Sequence, residues 1–313
     1  MMNNVDEVLV IKAHDKSRSF GVYHIFSYAL LMALVMMMNS GCRSLSPTAM
    51  MEDYFKNVMT SIASQEDAEL VRQGVPTLIL FLDASLAGAP DDANLLLTTA
   101  TAYTTYAQAF LNSDDEMKRA AILYGRARQY GFRLLRQRKF FVGTLSGSLA
   151  NFEKALMQCK KSDVPDLFVT GNAWLGWILS KPDSMEALDE LPKVMAIMHR
   201  ILELDDEYAD GGVHLMYGVY YAIRPPGAGR DLKQSREHFQ RAMTLAGKDN
   251  QFPRVIYAEF YLTAIGNEEQ FEQLLNDIIE SGEVGKQQRS NALINAIARE
   301  RAEKLLENQE DYF

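Results

Sequence analysis

Four stretches of this 313-residue chain repeat one internal spacing, a residue followed by partners four and seven places on. They read Ala120, Tyr124, Ala127; Val194, Met198, Ile201; Ser235, Phe239, Ala242; and Phe271, Leu275, Ile278. Steps of four and then three bring side chains onto one side of an α-helix, so each triad predicts a buried stripe. Two of the four set small residues at the outer positions and an aromatic between them. The small residues let a paired helix approach, while the ring fills the wedge between neighbouring hairpins, the packing logic of a helical-hairpin solenoid. Unrelated amphipathic helices share this spacing, but Leu204-Asp205 after Ile201 and Leu245 after Ala242 favour repetition. The triads begin 74, 41 and 36 residues apart, so the repeats are degenerate and carry insertions.

Nothing competes with the helical pattern, because no alternating apolar run is joined to another by Asn-Gly or Asp-Gly. The expected fold class is therefore all-α, a tetratricopeptide-like helical-hairpin solenoid of about a dozen helices forming one domain over residues 54–313. Residues 54–73 read as the first helix, stopped by Gly74, and Val75-Pro76-Thr77 opens the next at 78–87. Asp91 or Asp92 caps 93–111, whose partner is 116–136. Further helices are expected over 148–160, 167–180, a short 184–188, 193–204, 208–223, 232–245, 253–264, 269–280 and a long last one at 288–306. Asp231 caps the helix after the stiff loop Pro225 to Arg230.

The amino-terminal region is of another kind. Lys12, Lys16 and Arg18 precede a seventeen-residue apolar run, Val22 to Met38, which ends at Asn39-Ser40-Gly41-Cys42. The order of charge, apolar run and small residue predicts an export signal over 1–41, with Cys42 as the lipidated first residue and 42–53 as a tether. Asn39 stands where an aliphatic residue is usual, and an uncleaved anchor or an ordinary secretory peptide remain alternatives, since seventeen residues is near the lower limit for a bilayer span. Arg43 follows the cysteine, with no Asp to signal inner-membrane retention, which favours a periplasm-facing outer-membrane location.

Composition excludes several function classes. The formal net charge is −9, and no basic tract is dense enough to neutralise a run of phosphates, so nucleic acid is not an expected partner. Cys159 is the only cysteine besides Cys42, which leaves no internal disulfide once Cys42 carries lipid. It reads as a plain, partly buried thiol. The Pro225-to-Arg230 loop lacks the Lys-Ser or Lys-Thr ending of a phosphate loop. There is no Gly-x-Ser-x-Gly elbow or His-Glu-x-x-His helix, and the acidic cluster at Glu203, Asp205, Asp206 and Glu207 reads as a solvated helix end; no catalytic role, cofactor or metal is expected. His214 and His238, 24 residues apart across one hairpin, can face each other, yet a metal pair needs further ligands.

The candidate ligand or partner surface is built from Trp174, Trp177, Gly212, His214, Tyr217, Gly218, Tyr221 and Arg230. The aromatics, with Tyr220, supply more ring area than routine interhelical packing needs, and their polar tips tolerate a wet boundary. Gly211-Gly212 allow positive φ or close backbone approach, and Gly218 admits a neighbouring helix where a larger side chain clashes. Ordinary core packing is the competing reading for each. Repeat architecture alone does not select a partner.

Four stretches in order carry a resemblance. Gly74-Val75-Pro76-Thr77-Leu78 comes first; Tyr103 to Phe110 follows, then Leu123-Tyr124-Gly125-Arg126-Ala127. Asn172-Ala173-Trp174-Leu175-Gly176-Trp177-Ile178 precedes Leu191-Pro192-Lys193-Val194 and His199 to Asp205. Last come Tyr208-Ala209-Asp210-Gly211-Gly212-Val213-His214, Tyr217-Gly218, the Pro225-to-Arg230 loop and His238-Phe239-Gln240-Arg241-Ala242. Over roughly residues 54–279 the chain resembles the T component of tripartite ATP-independent periplasmic (TRAP) transport systems, the TatT lipoproteins with cryptic tetratricopeptide repeats. The resemblance implies a trimeric scaffold that binds the periplasmic solute-binding P component, with an apolar passage that holds or passes a small hydrophobic ligand. The alternative is a helical-repeat lipoprotein scaffold for outer-membrane or cell-envelope assembly.

Overall fold

A computed structural model describes residues 54, 57–111, 113–227, 229–281 and 289–313. Cys42, the apolar run and the tether lie outside the described residues, as does the Gly282-to-Gly285 break. Two compact units, Met1–Met59 and Thr60–Phe313, divide the chain; of the first, only residues 54 and 57–59 are described, and they are helical.

The second unit contains helices and no strand among the described residues. In order these are α1 (Ala68–Gly88), α2 (Ala93–Phe110), α3 (Met117–Arg136), α4 (Leu149–Leu156), α5 (Val164–Leu179), α6 (Met185–Leu188), α7 (Leu191–Asp205), α8 (Tyr208–Ile223) and α9 (Leu232–Ala246). α10 comprises Phe252–Tyr257, a π turn at Ala258–Leu262, and Thr263–Ile265. α11 (Glu268–Ser281) and α12 (Ala292–Glu307) complete the unit. Helices adjacent in sequence pack as antiparallel partners, α1 on α2, α2 on α3, α8 on α9, α10 on α11 and α11 on α12, and α5 packs on α7 across the short α6.

The spaced triads are the stripes that hold these hairpins together. Every triad residue except Tyr124 is at most 1% exposed. Where α9 meets α8, buried Ser235 donates its hydroxyl to the Gly218 carbonyl at 2.7 Å, so the small polar residue is satisfied while the backbones draw close. Phe239 then lies against Gly218, where an added Cβ would stand 2.8 Å from the ring.

Several boundaries differ from the sequence expectation. The first break falls at residues 64–67, and α1 runs through Gly74 and Pro76 without stopping. Asp67 starts it by accepting from the Leu70 amide at 2.9 Å. Pro76 carries no amide for the carbonyl four residues back, and the Tyr106 hydroxyl of α2 donates to that carbonyl, Arg72, at 3.2 Å. The tertiary contact replaces the lost helical bond, so a proline that reads as a boundary becomes interior. Residues 148–160 hold a shorter helix, α4, followed by a 3-10 turn at Lys161–Asp163. Asp92, rather than Asp91, caps α2 through the Leu95 amide, and Asp231 caps α9 through the Gln234 amide.

The last helix returns to the first. Arg72 of α1 pairs with Glu300 of α12 at 2.9 Å, and α12 also holds Arg301, whose guanidinium grips Glu259 of the π turn by two bonds of 2.6 and 2.9 Å. Tyr124 of α3 lies within electrostatic reach of Arg301 and rests its ring over Gly176 of α5. The hairpin series thus closes through polar contacts between residues far apart in sequence.

Candidate functional site

The α8–α9 hairpin brings a histidine pair and three tyrosines together. His214 Nδ1 and His238 Nδ1 are 2.9 Å apart, and His214 Nε2 is 3.3 Å from an Asp206 carboxylate oxygen. Asp206 only accepts, which puts the His214 proton on Nε2 and leaves its Nδ1 to accept from the Nδ1–H of His238. Arg241 reaches the same Asp206 oxygen at 3.1 Å. His238 stacks on Tyr217 with ring centroids 4.9 Å apart and on Tyr221 at 5.9 Å. Burial, with His214 beside it, pulls His238 down to about 4; burial likewise pushes the Tyr217 and Tyr221 hydroxyls up. Burial raises Asp206, but hydrogen bonds from Arg241 and His214 outweigh it and leave the carboxyl below its ordinary range. The result is a ring-lined patch held at one end by the Asp206 carboxylate.

Local backbone geometry places this patch. Ala209 and Asp210 have φ of 52° and 54°, and Gly211 follows at 77°. Three consecutive left-handed residues kink α8 within its first turn, between Asp206 and His214. Such conformations are costly for residues bearing a Cβ. Gly212 has an added-Cβ position 2.7 Å from the Phe168 ring, so only a hydrogen fits between α8 and α5. In the following loop, Arg230 Nε donates to the Arg224 carbonyl at 2.7 Å, and the Arg224 guanidinium lies 5.0 Å over Tyr220. Arg230 is thereby tied to the tyrosines through one intermediary.

The tryptophans sit elsewhere, between α3 and α5. Trp174 is 1% exposed, edge-on to Phe132 at 4.7 Å, and its Nε1 donates to Glu190 at 2.5 Å. Trp177, one turn on, is half-buried and receives two cations, Arg128 at 4.0 Å from its centroid and Lys181 at 4.6 Å. Arg128 also pairs with Glu190 at 3.0 Å; burial lowers its pKa, with Glu190 opposing. Gly125 of α3 lies against the Trp177 indole and lines an open depression of about 460 Å³ with Lys118, Ile122, Arg126, Gln129 and Lys181.

Residues 64–313 match the family model of the TRAP transporter T component. The chain belongs to that family. A distant relative, an uncharacterized protein of Treponema pallidum (strain Nichols), is 21% identical over 230 residues, covering 68% of this chain and 70% of its own length. This T component is therefore an accessory component of a TRAP transport system, a placement that points to the cell envelope.

Of the residues singled out from the sequence of this T component, His214, Tyr217 and Tyr221 come into one cluster, and Gly212 and Gly218 are close-approach points for Phe168 and Phe239. Trp174 is core, not surface, because its indole is enclosed by Phe132 and Phe152. Trp177 alone of the pair reaches an edge. Arg128, Glu190 and Arg241 were not anticipated; they lie 46, 16 and 27 residues from the aromatic they serve in the case of Trp174 and His214, and no local spacing marks them. A polar cluster was also missed, in which Tyr103, Tyr130 and Arg126 all bond to Asp83 at 2.6–2.7 Å and tie α1, α2 and α3 together.

Proposed function

We propose that this T component is a lipid-anchored periplasmic scaffold, attached through Cys42 to the outer membrane. In this reading it receives the solute-binding P component, holds or passes a small hydrophobic ligand, and works as a trimer. The carrying observation is that Trp177, Tyr220 and Tyr221 are half-buried members packed on the same apolar core as buried Trp174 and Tyr217. Aromatics that are half in a core and half out supply contact area with a polar tip left for solvent or a partner. Family membership supports the transport setting.

The test is co-purification of the mature protein with the solute-binding protein encoded beside it. A complex at micromolar concentration, weakened at least about tenfold by Tyr221→Ala with Trp177→Ala, is the expected result. No complex at that concentration overturns the reading.

A further inference from the structure

Four polar side chains close a circuit around the strained start of α8. Arg241 of α9 holds Asp206, which caps the end of α7; Asp206 accepts from His214 Nε2 of α8, and His214 Nδ1 meets His238 Nδ1 back on α9. His238 and Arg241 stand one turn apart on α9, so the circuit starts and ends on one helix face. The left-handed residues Ala209, Asp210 and Gly211 fall between Asp206 and His214. Two of the three bear a Cβ, which makes that conformation costly, and contacts from outside must hold the kink. Gly211 also backs onto α9, where an added Cβ would stand 2.6 Å from Leu245.

One link of the circuit depends on where a single proton lies. The two imidazole nitrogens are 2.9 Å apart and the ring centroids 5.1 Å, so the rings meet end to end across that proton instead of converging on a common third point as metal ligands do. With both rings neutral, His238 donates and His214 accepts. One added proton is tolerated, since His214 then donates from both nitrogens, to Asp206 and to His238. A second is not, because two N–H groups of two cations then face each other and the link becomes a repulsion. No carboxylate reaches His238 among the described residues; its ring is covered by Tyr217 and Tyr221, which stay neutral in acid. Burial beside His214 accordingly holds His238 down to about 4. The remaining charges lie around the other members: Glu207 shares Arg241, Asp166 and Asp205 act on Tyr208 at the start of α8, and α10 meets the hairpin through Tyr257 on Phe239.

We infer that the His214–His238 pair is an acid-sensitive latch, which fastens the kinked start of α8 to α9 while one proton lies between the rings and releases it when both rings are protonated. The released state takes up protons that the fastened state refuses, so falling pH draws the population toward it. The kink is the element that yields, because an open circuit no longer holds its left-handed residues. Farther along, Ser235 and Phe239 still grip Gly218, which confines the release to the first half of α8. The departing His238 ring uncovers Tyr217 and Tyr221, beside Tyr220. That last consequence, acid control of the contact surface, rests on the reading above; the latch itself does not.

The experiment is amide hydrogen exchange followed by mass spectrometry on the full-length protein in mild detergent at pH 7.5 and 4.5, with rates corrected for their intrinsic pH dependence. Acid should speed exchange in residues 208–217 at least about tenfold while peptides of α2 change less than about twofold. His238→Gln and His214→Gln each keep a hydrogen-bonding side chain that takes no proton, and each should abolish the response. His199→Gln, at an exposed histidine outside the circuit, should keep it. Equal acceleration in α8 and α2 means general loosening and overturns the inference, as does no acceleration in α8. A full response that survives in both His238→Gln and His214→Gln, or one that disappears in His199→Gln, overturns it too. Binding to the solute-binding protein is not read here, so failure of that reading and failure of this one are separable.

Discussion

The Tyr106 hydroxyl donates to the Arg72 carbonyl at 3.2 Å, the acceptor that Pro76 leaves without a helical amide. A proline inside a helix removes one backbone bond and crowds the preceding turn. Here the missing donor is supplied from the neighbouring helix by a residue that is 5% exposed.

Tyr106→Phe should therefore cost about 1 kcal/mol, the usual worth of one such bond, with the ring packing kept. Adding Pro76→Ala should recover that loss, since alanine restores the amide to Arg72. Urea denaturation of the three proteins measures both changes, and equal stability of Tyr106→Phe and wild type would show that the bond has no role.

The Arg301–Glu259 pair is almost withdrawn from solvent, with side chains 15% and 17% exposed. Arg301→Met should destabilise by about 3 kcal/mol because it strands the Glu259 carboxylate, whereas Arg301→Met with Glu259→Leu should lose much less. The comparison of denaturation midpoints separates the cost of a stranded charge from the value of the pair.

Two glycines should respond in opposite directions to alanine. At Gly218 the new Cβ meets the fully buried Phe239 ring at 2.8 Å, and a loss of about 2 kcal/mol is expected. At Gly74, inside α1, nothing lies within 4 Å, so alanine should add about 0.5–1 kcal/mol by removing backbone freedom from the unfolded chain. Melting temperatures of the two single variants check the signs.

His238 predicts a pH dependence. Its folded value, about 4, lies below the ordinary 6.5 because burial and His214 disfavour the imidazolium. Between those values the unfolded chain binds more protons than the native one, so stability rises with pH. The contribution is complete above about 6.5 and is lost as pH falls toward 4, amounting to about 2 kcal/mol after allowance for partial exposure. His214, Asp206, Arg241, Tyr217 and Tyr221 face the same site; the tyrosines do not ionise in this window, and depressed Asp206 loses its proton below it. His238→Gln should flatten the stability profile between pH 6.5 and 4, and an unchanged profile would assign the slope to other groups.

Cys159 is 3% exposed, and burial, with Asp163 nearby, pushes its thiol up to about 11. A thiol of that kind is protonated and shielded at pH 8. Labelling by a disulfide-exchange reagent should be slow in the native protein and complete within minutes in denaturant, which mass spectrometry follows directly.

The helical hairpins were legible in the sequence because three-four spacing is itself the geometry of a buried helix face. Tyr124 breaks the pattern for a physical reason, since its ring passes over Gly176 toward Arg301 instead of filling the core with its triad partners. The false stop at Gly74 came from reading Gly and Pro locally, when a hydroxyl 30 residues from Pro76 decides the matter. The left-handed turn was readable only at Gly211; Ala209 and Asp210 carry no mark of it. The two tryptophans share a spacing yet separate into core and edge, a difference set by α3 and by Glu190. The Glu259–Arg301 bond, 42 residues apart, leaves no trace in any window of a single helix.

Ladders of stacked repeats ordinarily come apart from an end, one rung at a time, because each rung leans only on its neighbours. The pair between Arg72 and Glu300 ties α1 to α12, so among the described residues two rungs at opposite ends of the ladder also lean on each other. Tension applied to α1 would reach α12 through that pair as well as through the hairpins between them.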